Sequence, residues 1–196
     1  MSAAEESIDS ATDFQLLQQT ASGDRSAFAT FVNRYQAAVF RHASCLAGHR
    51  EDAEDLLQET FLSAFKAAGQ FRGDSSAKTW LFHITRNAAL RRIEKSKLVS
   101  QTGLSLDALA VRAGWGSADP ESLAMLAEDR QRLEQALAAL PNEEREILLL
   151  RELEKVSGEE AVALLGISLA AMKSRLHRAR IHLAAILRAG CPGKES

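Results

Sequence analysis

Apolar residues in this chain recur at steps of three and four, in two long blocks separated by a stretch with no period. That spacing lines up side chains on one face of an α-helix, whereas a strand would alternate at steps of two. The clearest run is Ala53, Leu56, Leu57, Thr60, Phe61, Ala64, Phe65 and Ala68. Upstream, Phe28, Phe31, Val32, Tyr35, Val39 and Phe40 keep the same spacing, after Gly23-Asp24 breaks one short helix and starts the next. Turn chemistry at Phe71-Arg72-Gly73-Asp74-Ser75-Ser76 ends the third helix, and a fourth is expected from about Lys78 to Lys95.

Gly103, Gly114 and Gly116 punctuate residues 98–119, where the period fades and a mobile linker is expected. Helical spacing then returns. Pro120 suits a first helical turn, and Leu123, Leu126, Arg130, Leu133, Leu137 and Leu140 follow at threes and fours up to Pro141. Asn142 is a candidate cap, with Glu143 and Glu144 at the positive end of a helix carrying Ile147, Leu148, Leu150 and Leu153. Ser157-Gly158-Glu159-Glu160 has the form of a capping box, and Gly166-Ile167-Ser168 that of a tight turn with Ser168 capping the last helix. The expected fold is all-α: two small helical domains, 13–97 and 120–190, joined by a flexible linker over 98–119. A disordered tail is expected over 1–12, which is polar and rich in Ser, Ala and Glu, and a short tail over 191–196.

Composition narrows the function. The formal net charge is -2, so no overall basic footprint marks the chain for nucleic acid. Charge is segregated instead, with acids at Glu51–Glu59 and bases at Arg86–Lys97 and Lys173–Arg188, and local patches steer binding. Cys45 and Cys191 form no disulfide framework, which points to a reducing cytoplasm. The N-terminal residues lack the basic and apolar regions of a secretory signal, and no apolar run reaches membrane-spanning length. There is no phosphate-cradling glycine motif, no HExxH and no signature of a catalytic triad.

Three constellations carry functional expectations. Residues 157–165, 166–168 and 169–188 have the spacing of a helix, a turn and a second helix. On the last helix Met172, Leu176, Ala179 and Leu183 form the stripe expected to be buried. Lys173, Ser174, His177 and Arg178 fall opposite, with Arg175 and Arg180 beside them and no acid between Ser168 and Arg188. Such a face fits a DNA major groove, although a solvated basic face has the same pattern. On the acidic helix Asp55, Gln58, Glu59 and Leu62 lie opposite the apolar stripe, and an exposed leucine among carboxylates suggests a basic protein partner, although a plain solvated helix has the same periodicity. In the third, a Gly/Asp/Ser loop precedes a helix bearing Trp80, Asn87, Arg91, Arg92, Lys95 and Lys97, which could hold single-stranded DNA. Trp80, at core spacing with Leu81 and Ile84, reads more readily as packing. His42, Cys45 and His49 have an i, i+3, i+7 spacing that would share a helix face and could converge on a metal, but the same face packs the bundle, no fourth ligand is evident, and no metal or other cofactor is expected.

Asp52-Ala53-Glu54-Asp55-Leu56-Leu57-Gln58-Glu59-Thr60-Phe61, Phe71-Arg72-Gly73-Asp74-Ser75 and Thr79-Trp80-Leu81-Phe82 together resemble region 2 of extracytoplasmic-function sigma factors. Leu140-Pro141, Glu144-Arg145, Leu164–Ser168 and Met172–Arg180 are similar to their region 4, in order and spacing over about residues 13–190. The resemblance implies a region 2 bundle, a region 4 helix-turn-helix domain and no intervening region 3. It implies that Asp52, Asp55, Gln58, Glu59, Phe61 and Leu62 dock on the β′ clamp helices of core RNA polymerase. Within 71–92 it implies that Phe71, Arg72, Asp74, Ser75, Lys78, Asn87, Arg91 and Arg92 trap the melted minus-10 element. Ser168, Ala171, Lys173, Ser174, Arg175, His177 and Arg178 would read the minus-35 element as duplex. Further implied partners are the β flap of polymerase and an anti-sigma factor, for which Leu104, Leu106, Leu109 and Trp115 offer apolar surface. Ala170-Ala171 departs from the Gly-Thr common in the motif, and Val162 from its usual small residue. The rival readings are a stand-alone helix-turn-helix regulator, and a helical enzyme built around His42, Cys45, His49 or His83.

Overall fold

The computed structural model describes residues 3–47, 49–97, 129 and 131–189, with side chains over 12–47, 49–94, 129 and 131–189. The described residues contain helices and no strand. They belong to two compact units, Met1–Ala108 and Leu109–Ser196.

In the first unit, α1 spans Ala3–Ala21. The segment expected to be a disordered tail is thus helical from Ala3; it holds no Pro or Gly, and its early carboxylates suit a helix N-terminus. Gly23, at φ 102, turns the chain into α2 (Arg25–Leu46). Asp24 caps that helix, its Oδ1 accepting the amides of Ser26 at 2.8 Å and Ala27 at 3.2 Å. Helix α3 (Arg50–Ala67) runs into a 3-10 turn over Ala68–Gln70, and α4 covers Ala77–Lys97. The Ser76 hydroxyl caps α4 by accepting the Thr79 amide at 3.1 Å, a cap not anticipated from the pattern.

The core of this unit is aromatic. Phe31, Tyr35 and Val39 of α2 meet Leu17 of α1, Phe61 and Ala64 of α3, Leu81 of α4 and Phe71 of the loop. Phe28 and Trp80 pack at its edge, Phe28 against Phe65 at 5.0 Å and Trp80 against Phe71 at 5.2 Å between ring centroids. Each large buried side chain contributes about 1.5–3 kcal/mol, so packing rather than propensity holds the helices together. A second cluster of Ala43, Ala53, Leu56, Ala88 and Ala89 uses small residues that let helices approach closely. Two polar ties cross the bundle. Buried Asp13 accepts from Arg34 and from the Tyr35 hydroxyl, joining α1 to α2. The hydroxyls of Thr60 of α3 and Thr85 of α4 lie 3.3 Å apart, and the single Thr60 proton can go either to Thr85 or to the Leu56 carbonyl of its own helix, while Thr85 donates to the Leu81 carbonyl.

His42, Cys45 and His49 do not share a helix. Helix α2 ends at Leu46, and His49 is the N-cap of α3. His42 is buried with its ring 4.7 Å from that of Phe82, and Cys45 is buried as well.

In the second unit, α5 covers 131–138. Pro120, Leu123, Leu126 and Arg130 lie outside the described residues. Ala136 and Leu140 are the buried positions here while Leu133 is exposed, so the core face is offset from the expected leucine stripe. Helix α6 (Asn142–Leu148) has Pro141 as its N-cap. Asn142, expected to cap it, is instead its first helical residue, and its side-chain oxygen accepts from Arg145 at 2.8 Å. A π turn over Leu149–Leu153 widens the end of α6 and leaves Leu153 exposed. The capping box forms as expected at the start of α7 (Gly158–Leu165): Ser157 Oγ accepts the Glu160 amide at 3.1 Å, and Glu160 accepts the Ser157 amide at 3.2 Å. Gly166 ends α7 at φ 66 in the left-handed region, where glycine carries no Cβ penalty. Ser168 then caps α8 (Leu169–Ala189), accepting the Ala171 amide at 3.2 Å. Met172, Leu176 and Ala179 are buried, whereas Leu183 of the expected stripe is only partly so.

Candidate functional site

Helix α8 divides its basic residues into two sets. The buried stripe fixes its rotation about the helix axis, and that rotation sends Arg175 and His182 to one flank and Arg180 to the other. Each flanking group meets a carboxylate from the α6 segment. Arg175 Nη2 lies 2.8 Å from Glu143 Oε2, His182 Nδ1 lies 2.7 Å from Glu144 Oε2, and Arg180 Nε donates to Glu152 Oε1 at 2.9 Å. The Arg180 hydrogen bond is the main cause holding the Glu152 carboxyl below its ordinary value, against the opposing effect of burial and with help from the charges of Arg180, Lys155 and Arg151. Lys173, Ser174, His177 and Arg178 remain exposed on the outer face, with Ala171 beside them. That outer set supplies cations for phosphates and short polar groups for base edges. Ser168 is exposed, but its hydroxyl is used as a helix cap.

Two facing helices build the corresponding surface of the first unit. On α3, Asp52, Asp55 and Gln58 are exposed, and Leu62 is 62% exposed among them. Glu59 is half-buried and turns toward α4, where Arg92 Nε donates to its Oε2 at 3.0 Å and Arg91 Nη2 to its Oε1 at 3.3 Å. Arg92 Nη1 also lies 3.8 Å from Asp55 and 3.5 Å from the Asp52 carbonyl. Partial burial pushes the Glu59 carboxyl up, but the hydrogen bonds and charge of Arg92 and Arg91 outweigh it and hold the group below its ordinary value.

Phe61 and Phe71, expected as contact residues, are both buried in the aromatic core. Their large apolar rings gain more from the core than from water, so they position the surface without being on it. Trp80 is half-buried against that core, in keeping with its spacing. Around the loop, Arg72 and Asp74 are exposed, Ser75 and Lys78 are partly exposed, and Asn87 projects from α4. The side chains of Lys95 and Lys97, and residues Leu104, Leu106, Leu109 and Trp115, lie outside the described residues.

The sequence places Glu143 and Glu144 at a helix N-terminus but does not reveal their pairing with Arg175 and His182, the pairing of Glu152 with Arg180, or the bridging role of Glu59. These pairs join residues 28 to 38 positions apart, so no local period announces them. Among the described residues no group of three His, Cys, Asp or Glu side chains could hold a metal ion. No described helix is long and apolar enough to cross a membrane.

Comparison with known proteins identifies both units. Residues 31–98 match the model of Sigma-70 region 2, and residues 130–183 that of Sigma-70 region 4. The chain is 35% identical over 181 residues to the ECF RNA polymerase sigma-E factor of Escherichia coli K12, covering 86% of this chain and 91% of that one. Among solved structures, the sigma factor RpoE in complex with the anti-sigma factor NepR, from Bartonella quintana, aligns with a TM-score of 0.65 at 28% identity, over 82% of this chain and 96% of that one. CnrH in complex with the cytosolic domain of CnrY aligns at 0.62 and 29% identity, over 91% of this chain and 98% of that one. With this likeness running across both helical units, the chain belongs to the extracytoplasmic-function sigma factors of RNA polymerase.

Proposed function

We propose that this sigma factor does its work through two surfaces, one on each unit. The exposed face of α3, with Asp52, Asp55, Gln58 and Leu62, docks on the β′ clamp helices of core polymerase, and Glu59 adds its charge at the edge. The loop residues Arg72, Asp74 and Ser75, with Lys78, Asn87, Arg91 and Arg92 of α4, hold the melted minus-10 strand. The outer face of α8 reads the minus-35 duplex through Lys173, Ser174, His177 and Arg178, and its unit also meets the β flap. Arg175 acts there as a brace against Glu143 rather than as a base reader.

The sorting of α8 carries this reading. Every basic side chain on its flanks from Arg175 to His182 that meets a carboxylate is turned aside, while the face opposite Met172, Leu176 and Ala179 keeps its cations free of acids on its own helix. Duplex DNA with its regular phosphates is the partner such a face suits. The minus-10 step needs an unstacked base, since a paired base hides its edges. The chain makes and breaks no bond itself; polymerase supplies the chemistry, in the cytoplasm. Control by an anti-sigma factor, of the kind that the solved complex of RpoE with NepR contains, is supported by exposed Leu62, Leu90 and Ile93 on one unit and Leu153, Leu169 and Ile181 on the other, apolar groups that a protein partner would cover. An envelope or stress stimulus would release it.

Gel filtration with purified core polymerase tests the docking surface. The wild-type chain should co-elute with core, Leu62→Arg should lose co-elution, and His177→Ala should keep it. Co-elution of Leu62→Arg at wild-type strength would remove α3 as the docking face.

A further inference from the structure

Arg91 and Arg92, proposed above to hold the melted minus-10 strand and suited by charge to its phosphates, are not idle in the unbound protein. Both hydrogen-bond one carboxylate, Glu59, at 3.3 and 3.0 Å, and Asp55 adds charge 3.8 Å from Arg92. Glu59 and Asp55 belong to the helix face assigned to polymerase, so one carboxylate pair is shared by two surfaces that have different partners. A phosphate approaching α4 competes with Glu59 for the same guanidinium donors, and charge-assisted bonds of this kind are the stronger ones. A cationic group on a protein docked against α3 competes for Glu59 from the other side.

We propose that Glu59 masks Arg91 and Arg92 from nucleic-acid phosphate in the free protein, and that docking of core polymerase on α3 draws Glu59 away and hands both arginines to DNA. The inference rests on the assignment of α3 to polymerase and of α4 to DNA. Two binding events that compete for one internal ion pair strengthen each other, because either one spends the energy of breaking it on behalf of both. Glu59 is here a positioning residue for the arginines as well as a contact for polymerase. The lowered pKa of its carboxyl agrees with a pair that is formed in the unbound state. The neighbouring Glu51, exposed in the first turn of the same helix, carries an equal charge and supplies the control.

The test measures affinity of the full-length chain for a fluorescent single-stranded oligonucleotide across a salt series, by anisotropy. Glu59→Gln should bind several-fold more tightly than Glu51→Gln, with a salt dependence steeper by about one ion, the signature of newly freed phosphate contacts. In an Arg91→Ala/Arg92→Ala background the two glutamine variants should bind alike. Asp55→Asn, which leaves both hydrogen bonds in place, should give a smaller gain and guards against a folding defect in Glu59→Gln. With saturating core polymerase, the advantage of Glu59→Gln over Glu51→Gln should vanish, since docking has already opened the pair. Equal binding by Glu59→Gln and Glu51→Gln, with the arginine variant weakened, overturns the mask while leaving α4 as a DNA surface. Wild-type binding by the arginine variant overturns both the mask and that assignment. An advantage that persists on saturating polymerase overturns the transfer.

Discussion

The two units reach stability by different means. The first gathers Phe28, Phe31, Tyr35, Phe61, Phe71 and Trp80 into and around one core, with Asp13 tied to Arg34 and Tyr35 beside it. The described part of the second contains no aromatic residue. Its core is Ala136, Leu140, Ile147, Leu148, Leu150, Val156, Ala161, Leu164, Leu165, Met172, Leu176 and Ala179. Short helices joined by sharp turns are held there by local devices: the Ser157 capping box, the left-handed Gly166, the Ser168 cap, and Arg151 donating to the Val156 carbonyl. Charge follows the same division. In the first unit Arg91 and Arg92 are paired with the neighbouring acidic face of α3, whereas the second uses carboxylates to pin the flanks of α8 and leaves its outer face open. One unit therefore carries an ion-paired seam between two helices beside its exposed faces, and the other a presented helix.

The largest test of this contrast is Phe31→Ala. Its ring is fully buried at the centre of the aromatic cluster, and removal should cost about 3–5 kcal/mol. Hydrogen exchange should lose protection in α2, α3 and α4 and stay unchanged in α7 and α8. Next, Arg178→Ala should weaken minus-35 duplex binding by the holoenzyme by about 1–3 kcal/mol, or lower the salt slope by about one if its contact is to phosphate. Arg175→Ala should leave the salt slope unaltered and instead loosen α8 from Glu143.

Backbone conformation gives a finer pair. Gly166 and Lys155 both lie in the left-handed region, at φ 66 and φ 55. No atom would crowd a Cβ at Gly166, so Gly166→Ala isolates the conformational cost, about 1–2 kcal/mol, in thermal unfolding of the second unit. Lys155→Gly, relieving the same strain in reverse, should stabilise that unit by less, since glycine also gains freedom in the unfolded chain. The smallest effect is in the first unit. The Asp24 cap has its carboxyl lowered by the Ser26 hydroxyl and then by the amides of Ala27 and Ser26. A lowered folded-state pKa means that the cap's contribution is complete above the ordinary carboxylate value and is lost as the pH falls through the lowered one. Amide protection at the start of α2 should fade in that acid window, and Asp24→Asn should remove the pH dependence.

Much of this molecule can be read from its chain because so much of it is local. The run from Ala53 to Ala68 specifies α3, Gly23-Asp24 a break and a cap, and Ser157–Glu160 a capping box, each within a few residues. Failures cluster where distant residues decide. Phe61 and Phe71 have the motif positions of contact residues, yet a large ring is drawn into whatever core its neighbours make. Leu133 fits the leucine spacing but is exposed, because the rotation of α5 is set by what Ala136 and Leu140 pack against. Asn142 looked like a cap, but Pro141 already has the extended conformation of that position, which moves the helix start by one residue. His49 has the register of a third ligand only if α2 continues past Leu46. The outer face of α8 was legible because periodicity alone defines it, while its carboxylate braces and the Glu59 bridge depend on tertiary contact.

Transcription in vitro, with purified core polymerase and a library of promoter fragments, tests the central claim most directly. The account predicts that adding this chain produces discrete start sites sharing two upstream elements, and that Lys173→Ala or Arg178→Ala changes preference at the distal element alone. Absence of initiation, together with tight duplex binding by the protein without polymerase, would contradict it.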